Sequence, residues 1–336
     1  MTPSVYYLDS HLQNPMVHEF DLLVQQDIGM GTVASLSYLG ALGREFTNFI
    51  DTNLDPATVQ TTNITFFDPT GSSPILNGTV IPVKTYTHYI NSQYQGITDV
   101  TSNINTSYNG FVAEVQNHSL HNIQFDIHYT WSHSLDYNQN ATATTTVNNW
   151  LDPYAAARSN YGNSIYNVPD RLVLYALYNF PNVARKGSPL SFAINGWSLN
   201  NSLQIHSGLP YSAAISGTTS SSSISTGWNG TGVTSYIPIL GRNTYKYPRH
   251  EIDDIRIQKE FIIQDSTKLQ LMINAFNIAN KQNIDNINTT AYTLTTFGPA
   301  SGIATYQTSF QSVSSSNNSG FLYTPREVEI AARITF

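Results

Sequence analysis

The chain has no cysteine, little charge and no long apolar run, and each absence narrows what it can be. Without cysteine there is neither a disulfide framework nor a thiolate metal site. The chain is expected to pass through an oxidising compartment without using it. Charged residues make up only 11% of the sequence, against roughly 25% in an ordinary soluble domain. A water-facing surface is normally built from Lys, Glu, Arg and Asp. Their scarcity fits a lipid-facing surface wrapped around an uncharged polar interior. No apolar run approaches the roughly 18 residues of a membrane helix; Leu172 to Tyr178 is among the longest. A net charge of −7 and the lack of any Lys/Arg cluster argue against a nucleic-acid partner. The N-terminus, Met-Thr-Pro-Ser-Val-Tyr-Tyr, lacks the charged and apolar regions of a signal peptide. A barrel bound for the outer membrane needs one, so Met1 is expected to be an internal start or the edge of a fragment.

What the chain does have is aromatic rings, 21 Tyr and 15 Phe, with Asn, Ser and Thr at the polar positions. Its clearest pattern is the last stretch, Glu327 to Phe336. Val328, Ile330, Ala332, Ile334 and Phe336 alternate with Glu327, Glu329, Ala331, Arg333 and Thr335. Side chains on a strand point alternately to opposite faces, so this is one apolar and one charged face. Its length matches the roughly 9–11 residues with which a tilted strand crosses the hydrocarbon layer. The same period of two recurs in Ile123, Phe125, Ile127, Tyr129 and Trp131 against Gln124, Asp126, His128, Thr130 and Ser132. Further strands are expected near Val17–Gln26, Thr32–Leu39, Arg171–Phe180, Trp197–Ile205, Ile252–Phe261 and Lys268–Phe276, and one is expected to end at Tyr108–Gln116. In the Trp197 strand, Asn201 interrupts an otherwise apolar face.

Between these strands, short links alternate with long polar stretches. The short links are Asp27–Gly31, Asn117–Leu120, Pro181–Pro189 and Ile262–Thr267. The long stretches reach about Tyr94, Val168, Arg249 and Pro325, and one contains the Ser-Gly-Thr-Thr-Ser-Ser-Ser-Ser run of 216–223. Outer-membrane barrels show this rhythm, with short periplasmic turns and long extracellular loops. If Phe336 ends in the periplasm, every short link lies there too. Tyr129 and Trp131 then fall near the outer interface, where an aromatic girdle belongs. Residues 1–336 therefore read as one all-β unit: about nine strands of an antiparallel transmembrane β-barrel, with a polar lumen face. Two alternatives stay open at this point, a complete small pore and a secreted, soluble β-rich adhesin or glycan-binding module.

No residue stands out as catalytic, cofactor-binding or metal-ligating. His118, His121, His128 and His133 are close in sequence, yet His121 and His133 fall on the opposite strand face from His128, and His118 lies in the turn. Asp126 and His128 share a face, which is two ligands where a site needs at least three; a hydrogen-bonded lumen pair is expected instead. Glu327 and Glu329 share a face with Arg333 as an available partner, an arrangement ordinary in a barrel interior. Asn-x-Ser/Thr triplets at Asn63, Asn140 and Asn288 are expected by chance in so Asn-rich a chain. The aromatic and Asn-rich loops are the natural place for a sugar or chelate to touch.

Several segments together carry a resemblance. In order they are Tyr129-Thr130-Trp131-Ser132-His133-Ser134-Leu135-Asp136, Val168-Pro169-Asp170-Arg171-Leu172-Val173-Leu174, Asn195-Gly196-Trp197-Ser198-Leu199 and Ser207-Gly208-Leu209-Pro210-Tyr211. Phe276-Asn277-Ile278-Ala279-Asn280, Phe297-Gly298 and Pro325-Arg326 follow, before the terminal strand. The ordered set resembles the C-terminal barrel of TonB-dependent outer-membrane receptors, and within them the Oar-like group. The resemblance implies a barrel of about 22 strands, plugged by an N-terminal domain, that imports a ligand with energy from the TonB complex. The sequence departs from that pattern in having no plug, no TonB-contacting segment and no signal peptide, so the chain is expected to be the C-terminal part of such a receptor. The resemblance also implies that the barrel-assembly machinery reads the terminal strand ending at Phe336. Deleting Phe336, or changing it to Ser, should then lower the amount of full-length receptor in the outer membrane far more than Thr335→Ser. Burial of one rim side chain contributes only about 1.5–3 kcal/mol, so the loss should be of assembly. Wild-type levels without Phe336 would contradict this.

Overall fold

A computed structural model describes residues 3–72, 76–118, 120–138, 150–185, 187–217, 235–264, 267–298, 301–317 and 323–336. The Asn140 triplet and most of the 216–223 run lie outside these residues. Nine long strands form one antiparallel sheet in which each pairs with its sequence neighbours. They are β1 (Met16–Gly29), β2 (Thr32–Asp51), β3 (Gly96–Asn117), β4 (Ile123–Asp136), β5 (Asp170–Asn179), β6 (Trp197–His206), β7 (His250–Gln264), β8 (Thr267–Phe276) and β9 (Glu327–Thr335). Two short pieces join them: Ser4–Leu8 runs parallel to the start of β3, and Gly162–Asn163 pairs with the end of β4. Among the described residues β1 pairs only with β2, and β9 only with β8, so the sheet has two open edges.

The register fixes the faces. Residues directly opposite in an antiparallel pair lie on the same side. Phe125, Ile127 and Tyr129 oppose Ala176, Leu174 and Leu172. Leu199 opposes Ile257, which opposes Ile273, which opposes Ile330. This continuous apolar face leaves Leu22 66%, Val24 62% and Ile330 80% exposed, as side chains that meet acyl chains should be. The other face carries Gln124, Asp126, Tyr175, Asn200, Ser202, Asp254, Arg256 and Asn274, which line a recess of about 340 Å³. Asn201, the interruption of the apolar face, is satisfied on that same face: its amide donates to the Asp253 carboxylate at 2.6 Å, across the β6–β7 pair.

Local chemistry explains the turns. Met30 (φ 53°) and Gly31 (φ 68°) form the two-residue hairpin between β1 and β2, the left-handed pair that matches strand twist. The Asn117 side chain then ties neighbouring turns together. Its amide donates to Met30 O (2.9 Å) and Thr32 Oγ1 (2.6 Å), and its oxygen accepts from Leu120 N–H. On the apolar face, Gly40 leaves room for the Phe20 ring of the facing strand; a Cβ there would stand 2.2 Å from it. An aromatic ring covering a cross-strand glycine is one way a sheet keeps its register.

Three expectations need correction. The second strand is far longer than Thr32–Leu39, and the third, expected to end at Tyr108–Gln116, reaches back to Gly96: β2 has 20 residues and β3 has 22. At about 3.3 Å per residue they extend well past a hydrocarbon layer of about 30 Å, so their outer halves stand clear of the lipid. The link expected at Pro181–Pro189 runs on to Gly196 and includes a short helix, α1 (Pro189–Ile194), with Ser188 as its cap and Pro189 in its first turn. The long loops, finally, are not simply polar connections. Gln60–Phe67, Val80–Thr85, Ala214–Ser216, Ser235–Tyr236, Thr290–Gly298 and Ser301–Tyr306 come from three different loops and form one six-stranded sheet. The chain's buried apolar cluster belongs to this cap: Ile64, Phe66, Leu76, Ile215, Ile237, Tyr292 and Ala304 are at most 2% exposed.

The facing assignment has a direct test. Phe125→Arg puts a charge on the lipid face, at a cost of up to about 2–4 kcal/mol near the midplane, whereas Gln124→Arg puts it in the polar recess. In the full-length protein, heat-modifiable gel mobility should show folded barrel for Gln124→Arg and a marked loss for Phe125→Arg. Equal damage from both would contradict the assignment.

Candidate functional site

Two surfaces offer polar and aromatic groups to a solute: the lumen face of the sheet and the extracellular cap. On the lumen face, Arg256 Nε donates to Asn274 Oδ1 (2.6 Å), and Asn274 Nδ2 donates to Glu329 Oε2 (3.1 Å). Glu329 is thus reached by Asn274 rather than by Arg333, which lies opposite Gln270. Gln270 in turn donates to Glu260, whose other oxygen is 3.2 Å from Lys268. These links run across β7, β8 and β9 and fix the charged side chains against the wall.

Three of the four histidines noted in the sequence, His118, His128 and His133, go to separate partners. His118 Nε2 lies 2.9 Å from Asp126 Oδ1, a close contact that lacks the alignment of a hydrogen bond. His128 Nδ1 faces Glu114 at 3.7 Å, and Ser35 also donates to that carboxylate. The expected Asp126–His128 pair is therefore replaced by two pairs. A strand neighbour two residues away lies farther off than a cross-strand partner or a turn that folds back. His133 Nε2 meets Asn163 Oδ1 at 2.9 Å. Among the described residues no three His, Cys, Asp or Glu side chains converge.

Sequence reading missed the histidine cluster at the outer rim. His206 and His250 are opposite one another on β6 and β7, with ring centroids 5.0 Å apart at right angles. Tyr323 packs on His250 and its hydroxyl is 3.3 Å from His206 Nε2. His206 holds the Ser207 carbonyl through Nδ1, and His250 holds the Ile284 carbonyl through Nε2. The cluster is distant in sequence, so no local spacing marks it.

In the cap, two hubs join the loops. Asp152 accepts from Lys84 Nζ (2.7 Å) and from Tyr86 OH (2.8 Å). Burial raises the Asp152 pKa, but the ammonium and the phenol outweigh it and hold the carboxyl below its ordinary 3.8. Tyr154 donates to the carbonyls of Thr52 and Leu54. Its burial, then the charges of Asp51 and Asp55, push it up to about 12. The second hub is Arg242, which binds the Asp136 carboxylate at 2.7 Å with both side chains under 10% exposed. It also donates to the carbonyls of Asp136 and Asn160. One guanidinium from the third loop thereby clamps the end of β4 and the second loop. Beside them, Arg44, Arg158, Tyr137 and Tyr161 line a recess of about 230 Å³, where an anionic or aromatic solute would find complementary groups.

Two outcomes follow for the cap. Arg242→Met leaves Asp136 buried and unpaired, which costs about 3–5 kcal/mol. Limited proteolysis of folded protein should then cut the second and third loops much faster while the barrel wall stays resistant. Because the folded Asp152 pKa is depressed, its contribution is full above 3.8 and is lost as pH falls below that value. Acid should therefore speed proteolysis of the first and second loops in wild type, and add little in Asp152→Asn, which is already loosened at neutral pH.

Residues 1–312 match a family model described as an outer membrane beta barrel domain. A comparison with curated proteins finds no match. Among solved structures, the outer membrane transporter YddB from Escherichia coli matches with a TM-score of 0.51 at 12% identity, covering 100% of this chain and 35% of that one. The ferripyoverdine receptor of the outer membrane of Pseudomonas aeruginosa matches with a TM-score of 0.46 at 12% identity, covering 97% and 28%. The FrpB iron transporter from Neisseria meningitidis matches at 0.44 and 8%, covering 98% and 32%. The chain thus spans about a third of the length of the solved structures it matches. An antiparallel sheet with one lipid face and one polar face, and a match over most of its length, have one reading: the chain belongs to the outer membrane β-barrel domain family and resides in the bacterial outer membrane.

Proposed function

We propose that the chain is the C-terminal part of the barrel of a TonB-dependent receptor, of the Oar-like group, that takes up a ligand across the outer membrane without catalysis. The observation that carries this reading is the open nine-strand wall. Bacterial single-chain barrels have an even number of strands, and an unpaired edge has no hydrogen-bond partner in lipid. Nine strands with two bare edges therefore call for more wall. The motifs from Tyr129 to Arg326 supply the direction, and the Escherichia coli transporter shares this fold over the whole chain.

In this reading the missing wall and the plug precede Met1, and contact with the TonB complex is made there. The assembly machinery engages β9 and Phe336. The cap of three interlocked loops, fixed by Arg242 and Asp152, forms the outer contact surface for the ligand, and the polar wall lines its way in.

Reading the coding sequence upstream of Met1 tests the proposal. A plug domain and about a dozen further strands in frame are expected. Expressed alone, residues 1–336 should give aggregates rather than a discrete detergent-soluble monomer, because β1 presents a bare edge. A protease-resistant monomer of this chain, with no barrel encoded upstream, would contradict the proposal and favour a small pore.

A further inference from the structure

The periplasmic end of β7 carries a lysine on the wrong face. Lys259 lies opposite Trp197 and Leu271, on the side that meets lipid, yet it is only 5% exposed. It sits against the Trp197 and Phe261 rings, 5.5 and 5.0 Å from their centroids, and its ammonium donates to the Asn195 carbonyl. Among the described residues no carboxylate lies within 4.0 Å of it; the adjacent Glu260 points to the other face and pairs with Lys268. Burial of a cation favours a counter-charge within its reach.

What surrounds Lys259 is shaped for a membrane interface. The helix α1 of the link between β5 and β6 folds against the lipid face: the Phe192 ring is 4.9 Å from Phe261, and Trp197 Nε1 donates to Ala193 O. Cross-bonds between Asn195 and Ala184, and from Gly196 to Asn182, hold the link in this shape. Val183, Leu190, Phe192 and Ile263 are left exposed around it, each by more than half. Between link and strand lies a recess of about 750 Å³, lined by Lys259, Asn182, Ser188, Ser191 and Phe192 among others. Trp197 opens β6 at the periplasmic side, the level where tryptophan rings mark the headgroup layer.

We infer that this recess binds the phosphate of an anionic phospholipid from the inner leaflet of the outer membrane. Lys259 supplies the counter-charge, and the exposed apolar side chains of the link lie along the acyl chains. The charge, the interfacial level and the apolar rim each fit that occupant. A soluble anion would satisfy only the first. The inference does not depend on which ligand the receptor imports.

The test uses protein extracted from the outer membrane in mild detergent, with lipid retention read by native mass spectrometry. Dioleoylphosphatidylglycerol should be retained in preference to the phosphatidylcholine of the same chains, and glycerol 3-phosphate should not displace it. Lys259→Gln should lower retention by about fivefold, the factor one lysine contributes near an anionic lipid surface. Lys259→Arg should keep it, and Lys268→Gln on the lumen face should leave it unchanged. Equal retention by wild type and a folded Lys259→Gln would overturn the inference, as would displacement by glycerol 3-phosphate. Should Lys259→Gln fail to fold, the wild-type comparison still decides, since no preference for phosphatidylglycerol would also overturn it.

Discussion

Hydrocarbon offers no hydrogen-bond partner to the backbone, and that single constraint organises this chain. Every N–H and C=O in the layer must be met by the next strand, which forces long, unbroken antiparallel pairing. Pairing then imposes the period of two, and the period sorts side chains into lipid and lumen faces. A slip by one residue would turn Asp126, Arg256 and Glu329 out to the lipid and Phe125, Ile257 and Ile330 into the lumen. Charge is scarce in the sequence because so much of the surface meets lipid.

Beyond the membrane the constraint changes. The outer halves of β2 and β3 and the loops stand in water, where burial of apolar area becomes the driving force. The cap accordingly has the chain's buried apolar cluster, with the Phe66 and Tyr292 rings meeting edge-on at 4.8 Å. The wall is held by backbone pairing and lipid, the cap by packing and by the buried Arg242–Asp136 pair. The two parts should therefore respond differently to acid and to loss of a side chain.

This difference also explains how much was legible in the sequence. Within the membrane, the faces of Ile123–Ser132, Lys268–Phe276 and Glu327–Phe336 could be read residue by residue, because each strand repeats the same local rule. The outer extensions were not read, since Gly40, Gly43 and Arg44 break the alternation just where lipid stops enforcing it. The cap escaped because Ile64, Ile237 and Tyr292 are brought together from three loops, and long-range contacts leave no local spacing. One local signal was there: Thr62, Ile64 and Phe66 are buried while Asn63 is exposed. Likewise the His206–His250–Tyr323 cluster and the Arg242 clamp depend on strand register and loop docking, which composition does not encode.

These 336 residues contain no cysteine, so with any cysteine elsewhere replaced the central claim is directly measurable. Single cysteines placed in turn at positions 123 to 132 of the full-length protein can be labelled in intact outer membranes with a water-soluble maleimide. In parallel, a fluorophore at each site can be quenched by brominated lipid. The two-faced wall predicts labelling at 124, 126, 128 and 130 and quenching at 123, 125, 127 and 129, in strict alternation. Uniform labelling along the stretch, or quenching at the even positions, would contradict it.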